Sequence, residues 1–420
     1  MNIKFLNIKC PRLFLCVGFV LFLCAQLNAE ILPGNNDFDA YLPLLNGKRV
    51  AIFTNISGTL TPYSEEIKDE SLPEIPTGEH ILDALLERGV NVSCVLTPEH
   101  GFRGDHDAGA VVSDSTDPKT GVKTISLYGV DAYYALGRAE KEFDIVLVDI
   151  QDIGLRYYTY YVTMMRLINV CAERKKPVII LDRPNPNGYY ADGPMLEQRY
   201  ISNVGALRLP VVHGLTLGEM ANMMNGEGWL RGKRKCDIQV IPCRNYTHSK
   251  KFRLNCRPSP NIKSMRAVYL YASLCYFENT LVSVARGTEY PFEVYGSPLL
   301  KDKTGYEFSF IPKSIKGAQN PPFMNQECYG HDLRQLTLEE MQTDGINLSY
   351  LISAYNAISQ HNFFGRPDKR GRYWIDLLFG TDRIRKMIEA GKTENEIKSS
   401  WQKDINEFKE LRKKYLLYDE

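Results

Sequence analysis

IVLVDIQDIGLRYYTYYVTMMRLINVCAERKKPVIIL, residues 145–181, reads as strand, loop, helix and strand. Ile145 to Val148 and Val178 to Leu181 are short, apolar and rich in β-branched residues, so each reads as a strand buried on both faces. Between them, Thr159 to Ala172 carries apolar residues at helical spacing. Parallel strands joined by a helix make a right-handed crossover, and the unit recurs on either side. Arg49 to Phe53 and Val92 to Leu96 are further strand runs, separated by a helical pattern from Ile81 to Arg88 that Gly89 closes. A helix from Leu217 to Glu227 precedes a strand-like Ile238 to Ile241. The alternation predicts an α/β fold, a Rossmann-like doubly wound parallel sheet.

Each of the first four strands is followed at once by a polar cluster: Thr54-Asn55, Pro98-Glu99-His100, Asp149-Gln151-Asp152, and Asp182 to Asn187 in DRPNPN. Strand ends of one polarity share one edge of a parallel sheet, so these clusters are expected to converge on a single cleft. The densest lies in TPEHGFRGDHDAG, Thr97 to Gly109, where Glu99, His100, Arg103, Asp105, His106 and Asp107 crowd one glycine-punctuated loop. Each of those groups loses hydration if the loop folds inward, a cost that a plain connection has no reason to carry. No GxGxxG follows the first strand and no GxxxxGK[ST] occurs, so the sheet need not mean nucleotide binding, and no cofactor is expected. HExxH is absent too. His100, His106, Asp105 and Asp107 are the set that would serve a metal-dependent hydrolase, but aspartates beside glycines more often cap turns, and no metal is expected.

At 420 residues the chain is long enough for two domains. Its 51 basic and 50 acidic residues leave a formal charge of +1, which gives no electrostatic reason to bind nucleic acid or anionic lipid. Lys4, Lys9 and Arg12, the apolar stretch Leu13 to Cys24 and Leu27-Asn28-Ala29 before Glu30 read as a secretory signal over residues 1–29. The apolar stretch is shorter than the ~20 residues that span a bilayer, so the product is expected to be exported, periplasmic or secreted, with no membrane association after cleavage. Seven cysteines remain: Cys94, Cys171, Cys236, Cys243, Cys256, Cys275 and Cys328. Cys236, Cys243 and Cys256 are close enough in sequence to supply one bridge, and buried free thiols are the reading for most.

The catalytic domain is expected over residues 30–255. A smaller α+β domain is expected over 256–420 to complete the cleft. Within it lies ARGTEYPFEVYGSP, Ala285 to Pro298, and near the end Thr393 and Glu396 form a capping box ahead of an apolar stripe of Ile397, Trp401, Ile405, Phe408, Leu411 and Tyr415 that reads as core. No internal repeat occurs, and the sequence sets no oligomeric state.

Glu99 follows Pro98 at a strand end, where neighbouring walls desolvate a carboxyl and keep it protonated for proton donation; an ion pair with Arg103 is the plainer alternative. Asp149, Asp152 and Arg156 form a second acid and base group, with one of the two aspartates expected to cap the helix near Thr159. Tyr157, Tyr158, Tyr160 and Tyr161 suit sugar stacking or half-buried core, and core is the reading for at least two. Asp182, Arg183, Asn185 and Asn187, on a proline-stiffened loop, suit a hydroxyl-rich ligand. His213 in PVVHGLT reads equally as structural or functional. Glu278 in YFENT and Arg286, Glu289 and Glu293 in ARGTEYPFE are acids and bases among aromatics, placed to close the cleft from the second domain.

With VAIFTNISG, TPEHGFRGDHDAG, DPKTGVKTISLYG, FDIVLVDIQDIGLRYYTY, VIILDRPNPNG, LPVVHGLTLGEMANMMNGE, RPSPNI, ARGTEYPFEVYGSP and WQKDINEFKELRKKYLLY in one order, the chain resembles the exo-β-N-acetylmuramidase (NamZ) family. The resemblance implies a glycoside hydrolase that releases N-acetylmuramic acid from the non-reducing end of peptidoglycan fragments. It also implies a Rossmann-like domain followed by a smaller one, and a catalytic glutamate in PEHG that falls on Glu99. Glycosidic cleavage also needs stabilisation of an oxocarbenium-like centre. Asp152 and Glu278 are the acids for that role, or the 2-acetamido group of the substrate attacks instead. A muramic carboxylate calls for a guanidinium, from Arg103, Arg156, Arg183 or Arg286. Asn55, His100, Asp149, Tyr158, Asp182, Asn185, His213 and Glu289 complete the expected substrate-binding set. A non-catalytic muropeptide-binding protein is the alternative of another class.

Overall fold

The computed structural model describes residues 30–67, 70–99, 101–102, 114–127, 132–342, 345–358 and 362–420. The expected leader, His100, Arg103 and the 105–107 acid and histidine cluster lie outside the described residues.

Seven strands form the principal sheet: β1 (Val50–Thr54), β2 (Val92–Thr97), β3 (Ser115–Thr116), β4 (Lys123–Ser126), β5 (Ile145–Asp149), β6 (Val178–Leu181) and β7 (Ile238–Ile241). Their order is β3-β4-β2-β1-β5-β6-β7, all parallel except the short edge strand β3 against β4. The chain enters at the centre, steps outward through β2 to β4, returns to the other side of β1 and steps outward again, which is the doubly wound course. The edge strand β3 and its neighbour β4 had no expectation in the sequence, because both are short and KTIS begins exposed.

Alternate residues of each strand feed opposite faces. Val50, Ile52, Ile145, Leu147, Ile179 and Leu181 pack with Tyr41 and Leu45 of α1 (Phe38–Leu45) and with Ile81, Leu82 and Leu85 of α2 (Ile81–Glu87). Ala51, Phe53, Val146, Val148, Val178 and Ile180 face the other way. There they join α3 (Ala132–Ala139), α4 (Tyr160–Arg174) and α5 (Leu217–Gly226). Thr216 and Glu219 cap α5 reciprocally, and α4 stops where Lys175 turns left-handed, φ 55°.

The second, smaller domain has a three-stranded antiparallel sheet, β8 (Val294–Ser297), β10 (Cys328–Asp332) and β9 (Phe308–Phe310) in that order. Helices surround it, including α6 (Met265–Leu274) and, at the end, Glu394–Ser399 and Gln402–Arg412. The Thr393 and Glu396 capping box is present, and Ile397, Trp401, Ile405 and Phe408 are buried in the large apolar core that also takes in Ala51, Phe53, Val146 and Val148 of the principal sheet. Beyond it the chain returns to the first domain: the Tyr418 hydroxyl donates to Asp182 at 2.7 Å, and Leu417 N to Glu219 at 2.8 Å. All seven described cysteines are free and buried, as read for most of them, and Cys236, Cys243 and Cys256, which could have supplied one bridge, form none.

Candidate functional site

The carboxyl ends of β1, β2, β5 and β6 bring the four polar clusters to one edge, as parallel strands must. The structure then sorts their side chains by what each has left to offer.

Asp149 ends β5 and is fully buried. One of its oxygens accepts from Arg183 Nε at 2.6 Å and the other from Asn35 Nδ2 at 2.9 Å. The remaining donors of Arg183 go to the Tyr63 hydroxyl at 2.6 Å and the Thr59 carbonyl at 2.9 Å. Burial works against the Arg183 charge, but Asp149 beside it more than offsets this and holds the guanidinium above its ordinary range. The Tyr63 hydroxyl donates in turn to Gln151 Oε1 at 2.6 Å, and Gln151 Nε2 donates to the carbonyls of Asp152 and Pro184. Asp149, Arg183 and Gln151 therefore lock the loops after β1, β5 and β6 together. Neither aspartate caps α4, whose N-cap Thr159 makes no side-chain capping bond.

Asp152 instead caps its own turn: Oδ1 accepts from Gly154 N at 2.7 Å, while Oδ2 is buried with no partner. Burial pushes this carboxyl up to about 7, opposed only in part by the backbone N–H groups of Gly154 and Ile153. Gly154 sits at φ +79°, and a Cβ there would lie 2.2 Å from Asn185 Oδ1, so this turn requires glycine. Asp182 is saturated by Thr216 Oγ1 (2.6 Å), Gly218 N (2.9 Å) and Tyr418 (2.7 Å). Burial raises it to about 6.

Glu99 differs from these three. It emerges two residues after β2 and is half-buried, whereas Asp149, Asp152 and Asp182 are 0%, 7% and 1% exposed. The Thr159 hydroxyl donates to Glu99 Oε2 at 3.4 Å. Next to Thr159, the Tyr160 phenol is raised first by burial and further by the nearby Glu99 and Asp152 carboxylates, which places both acids within its electrostatic reach.

Several expected ligand contacts prove to be joints of the framework. Arg156 is wholly buried, and its guanidinium donates to the carbonyls of Pro194, Leu209 and Leu378. Tyr157, Tyr158, Tyr160 and Tyr161 are all buried; Tyr158 donates to the Pro258 carbonyl at 2.6 Å, and Tyr160 to the same carbonyl at 3.0 Å. Asn55 donates to the Tyr160 hydroxyl and accepts from Ser57. Asn185 donates to Leu215 O and accepts from Asn187 N, and Asn187 donates to Ile153 O. His213 is buried with Nδ1 accepting from Leu215 N, and burial drives it down to about 3, so it stays neutral. These groups shape the loops and leave little for a ligand to hold.

From the second domain, Glu278 and Arg286 form an ion pair of 2.6 Å in the wall of a cavity of about 560 Å³. Glu289 does not join them: it is largely exposed and paired with Lys263 on the surface. Glu293 takes the Ser264 hydroxyl at 2.6 Å and lies near Arg266. Trp374 lines the Glu278–Arg286 cavity and was not anticipated, because it stands in GRYWID, far from any recognised motif. Asn35 and Tyr63 were missed for the same reason: nothing in their local sequence announces a partner more than a hundred residues away.

Two family models match the chain: exo-beta-N-acetylmuramidase NamZ, N-terminal, over residues 69–266, and the corresponding C-terminal model over 269–418. The chain is 31% identical over 393 residues to the peptidoglycan beta-N-acetylmuramidase NamZ of Bacillus subtilis (strain 168), covering 90% of this chain and 89% of that protein. It is also similar to crystal structures of two DUF1343 family proteins from Bacteroides fragilis NCTC 9343. The first has a TM-score of 0.80 at 47% identity, covering 93% of this chain and all of that one. The second has a TM-score of 0.72 at 26% identity, with coverage of 93% and 99%.

Proposed function

Because the chain belongs to the exo-β-N-acetylmuramidase NamZ family and is a glycoside hydrolase, we propose that it releases N-acetylmuramic acid from the non-reducing end of peptidoglycan fragments, outside the cytoplasm, with Glu99 as general acid. One observation carries the assignment of the acid. Of the four carboxylates that the described strand ends bring together, Asp149, Asp152 and Asp182 are buried and held by hydrogen bonds or burial, and Glu99 alone keeps partial access to solvent. The Thr159 hydroxyl meets the carboxyl where it emerges, with the buried Tyr160 phenol within its electrostatic reach.

In this reading Glu99 gives its proton to the glycosidic oxygen as the bond to C1 breaks. Asp152, neutral over much of the acid range, adds little negative charge beside Glu99, and Glu278 is bound to Arg286. With no second exposed carboxylate among the described strand ends, the carbonyl oxygen of the substrate's own 2-acetamido group is the nucleophile that forms the bond to C1. Water then opens the resulting oxazolinium ring, with Glu99 taking its proton, and the anomeric configuration is retained.

The experiment is muramic acid release from a defined muramyl-glucosaminyl disaccharide by wild type and Glu99→Gln, with early-time NMR of the product anomer. The expected result is a loss of about 10²- to 10⁴-fold in kcat with the β anomer formed first. Near wild-type turnover by a folded variant refutes Glu99 as acid, and an α product formed first refutes the acetamido step.

A further inference from the structure

A separate cavity of about 570 Å³ is walled by residues 195–208 of the first domain, by Trp229, and by Arg383 and Asp404 at the starts of two helices of the second. That volume lies within the range of small-molecule sites, roughly 300–1,000 Å³. It is remote from the acid edge. None of the strand-end acids lines it, and α5 runs about 15 Å from Thr216, which donates to Asp182 at that edge, towards Trp229 in the cavity wall.

Its frame is fixed. The Arg156 guanidinium donates to the Pro194 carbonyl at 2.8 Å and to the Leu209 carbonyl at 2.6 Å, one on each side of the 195–208 loop, and Leu196 N donates to Leu209 O at 3.1 Å across the neck. Glu197 N donates to the Gly380 carbonyl at 2.9 Å, which ties the loop to the second domain. A wall held in this way loses little freedom when a ligand binds.

Its side chains keep unused capacity. Glu197 is already engaged, by the Thr381 hydroxyl at 2.7 Å and by Arg383 Nε at 3.4 Å. Arg208 and Asp404 have no hydrogen-bond or ionic partner among the described residues, so the wall offers one unmatched cation and one unmatched anion. Trp229 is half-buried against the core, and its Nε1–H has no protein acceptor among the described residues; unlike that of Trp374, it is not closed off from solvent. Ile201, 41% exposed, and the half-buried Met195 add apolar surface.

We propose that this cavity is a second binding site, which takes a short peptide with both ends free. Arg208 receives the terminal carboxylate, Asp404 the ammonium, and Trp229 with Ile201 an apolar side chain. Balanced charges of both signs favour a zwitterion over either ion alone, because a singly charged ligand leaves one of the two groups unmatched and meets the other as a like charge.

The test is titration of the protein, followed by tryptophan fluorescence, with alanyl-leucine, its N-acetylated form and its C-terminal amide. Wild type is expected to bind the free dipeptide at least threefold more tightly than either blocked form. Arg208→Gln is expected to weaken alanyl-leucine by about 3- to 10-fold and leave the amide unchanged, and Asp404→Asn to weaken it similarly and leave the N-acetyl form unchanged. Neither side chain has a protein partner to lose among the described residues, so both variants should fold. The emission change is expected to vanish in Trp229→Phe, which locates the ligand in this cavity. No saturable binding of alanyl-leucine by wild type, equal binding of the three peptides, binding indifferent to both charge variants, or an emission change that survives in Trp229→Phe overturns the proposal.

Discussion

Asp152→Asn is expected to make the protein more stable at neutral pH and to flatten its stability between pH 4 and 7. The carboxyl has an ordinary value of 3.8 in the unfolded chain and is pushed up to about 7 by burial in the native one. The native state thus holds a proton that the unfolded state releases. The stabilisation is complete below about pH 4 and is lost as pH rises through 7. A difference of about three units corresponds to about 4 kcal/mol across that window, at 1.36 kcal/mol per unit. Asparagine keeps the Oδ1 acceptor for Gly154 N and replaces the unpartnered Oδ2 with a neutral amide. It adds a buried donor at a cost of about 1–3 kcal/mol at every pH. That constant term shifts the whole curve, whereas the slope difference reports Asp152 alone. Asp182, raised to about 6, contributes a slope of the same sign to both proteins and cancels in the comparison. Urea unfolding followed by tryptophan fluorescence at half-unit steps from pH 4 to 8 measures both curves. Parallel curves would refute a neutral, buried Asp152.

Arg183→Gln leaves Asp149 buried with Asn35 as its one remaining side-chain donor among the described residues, and is expected to cost about 3–5 kcal/mol in the same unfolding assay. Asp149→Asn in the same chain should recover part of that loss; a double variant worse than the sum of the singles would contradict the lock. Burial raises the thiols of Cys94, Cys171, Cys236, Cys243, Cys256, Cys275 and Cys328, as in the shift of Cys94 to about 11. Peptide mapping after iodoacetamide should therefore find all seven unmodified in native protein and all seven alkylated in urea.

What could be read in the sequence was local. A strand buried on both faces writes its burial into consecutive residues, so the runs at 49–53, 92–96, 145–148 and 178–181 were legible; the edge run at 238–241 is buried only at Ile241 and was marked by its β-branched residues, and KTIS was not legible. Capping is local too, and Thr393 with Glu396 was read correctly. So was the convergence of polar clusters, because parallel topology sends every strand end to one edge. The motifs in their order carried the family. Only the tertiary structure decided what each converged group could still do. Arg156 and Arg183 look alike as letters beside acids, but one spends itself on carbonyls at 194, 209 and 378 and the other on partners at 59, 63 and 149. A hydrogen bond is fixed by distance in space, and desolvation by every neighbour at once. Neither is encoded within a window of sequence, so which acid stays accessible and which cavity keeps unused donors emerge only when the chain is folded.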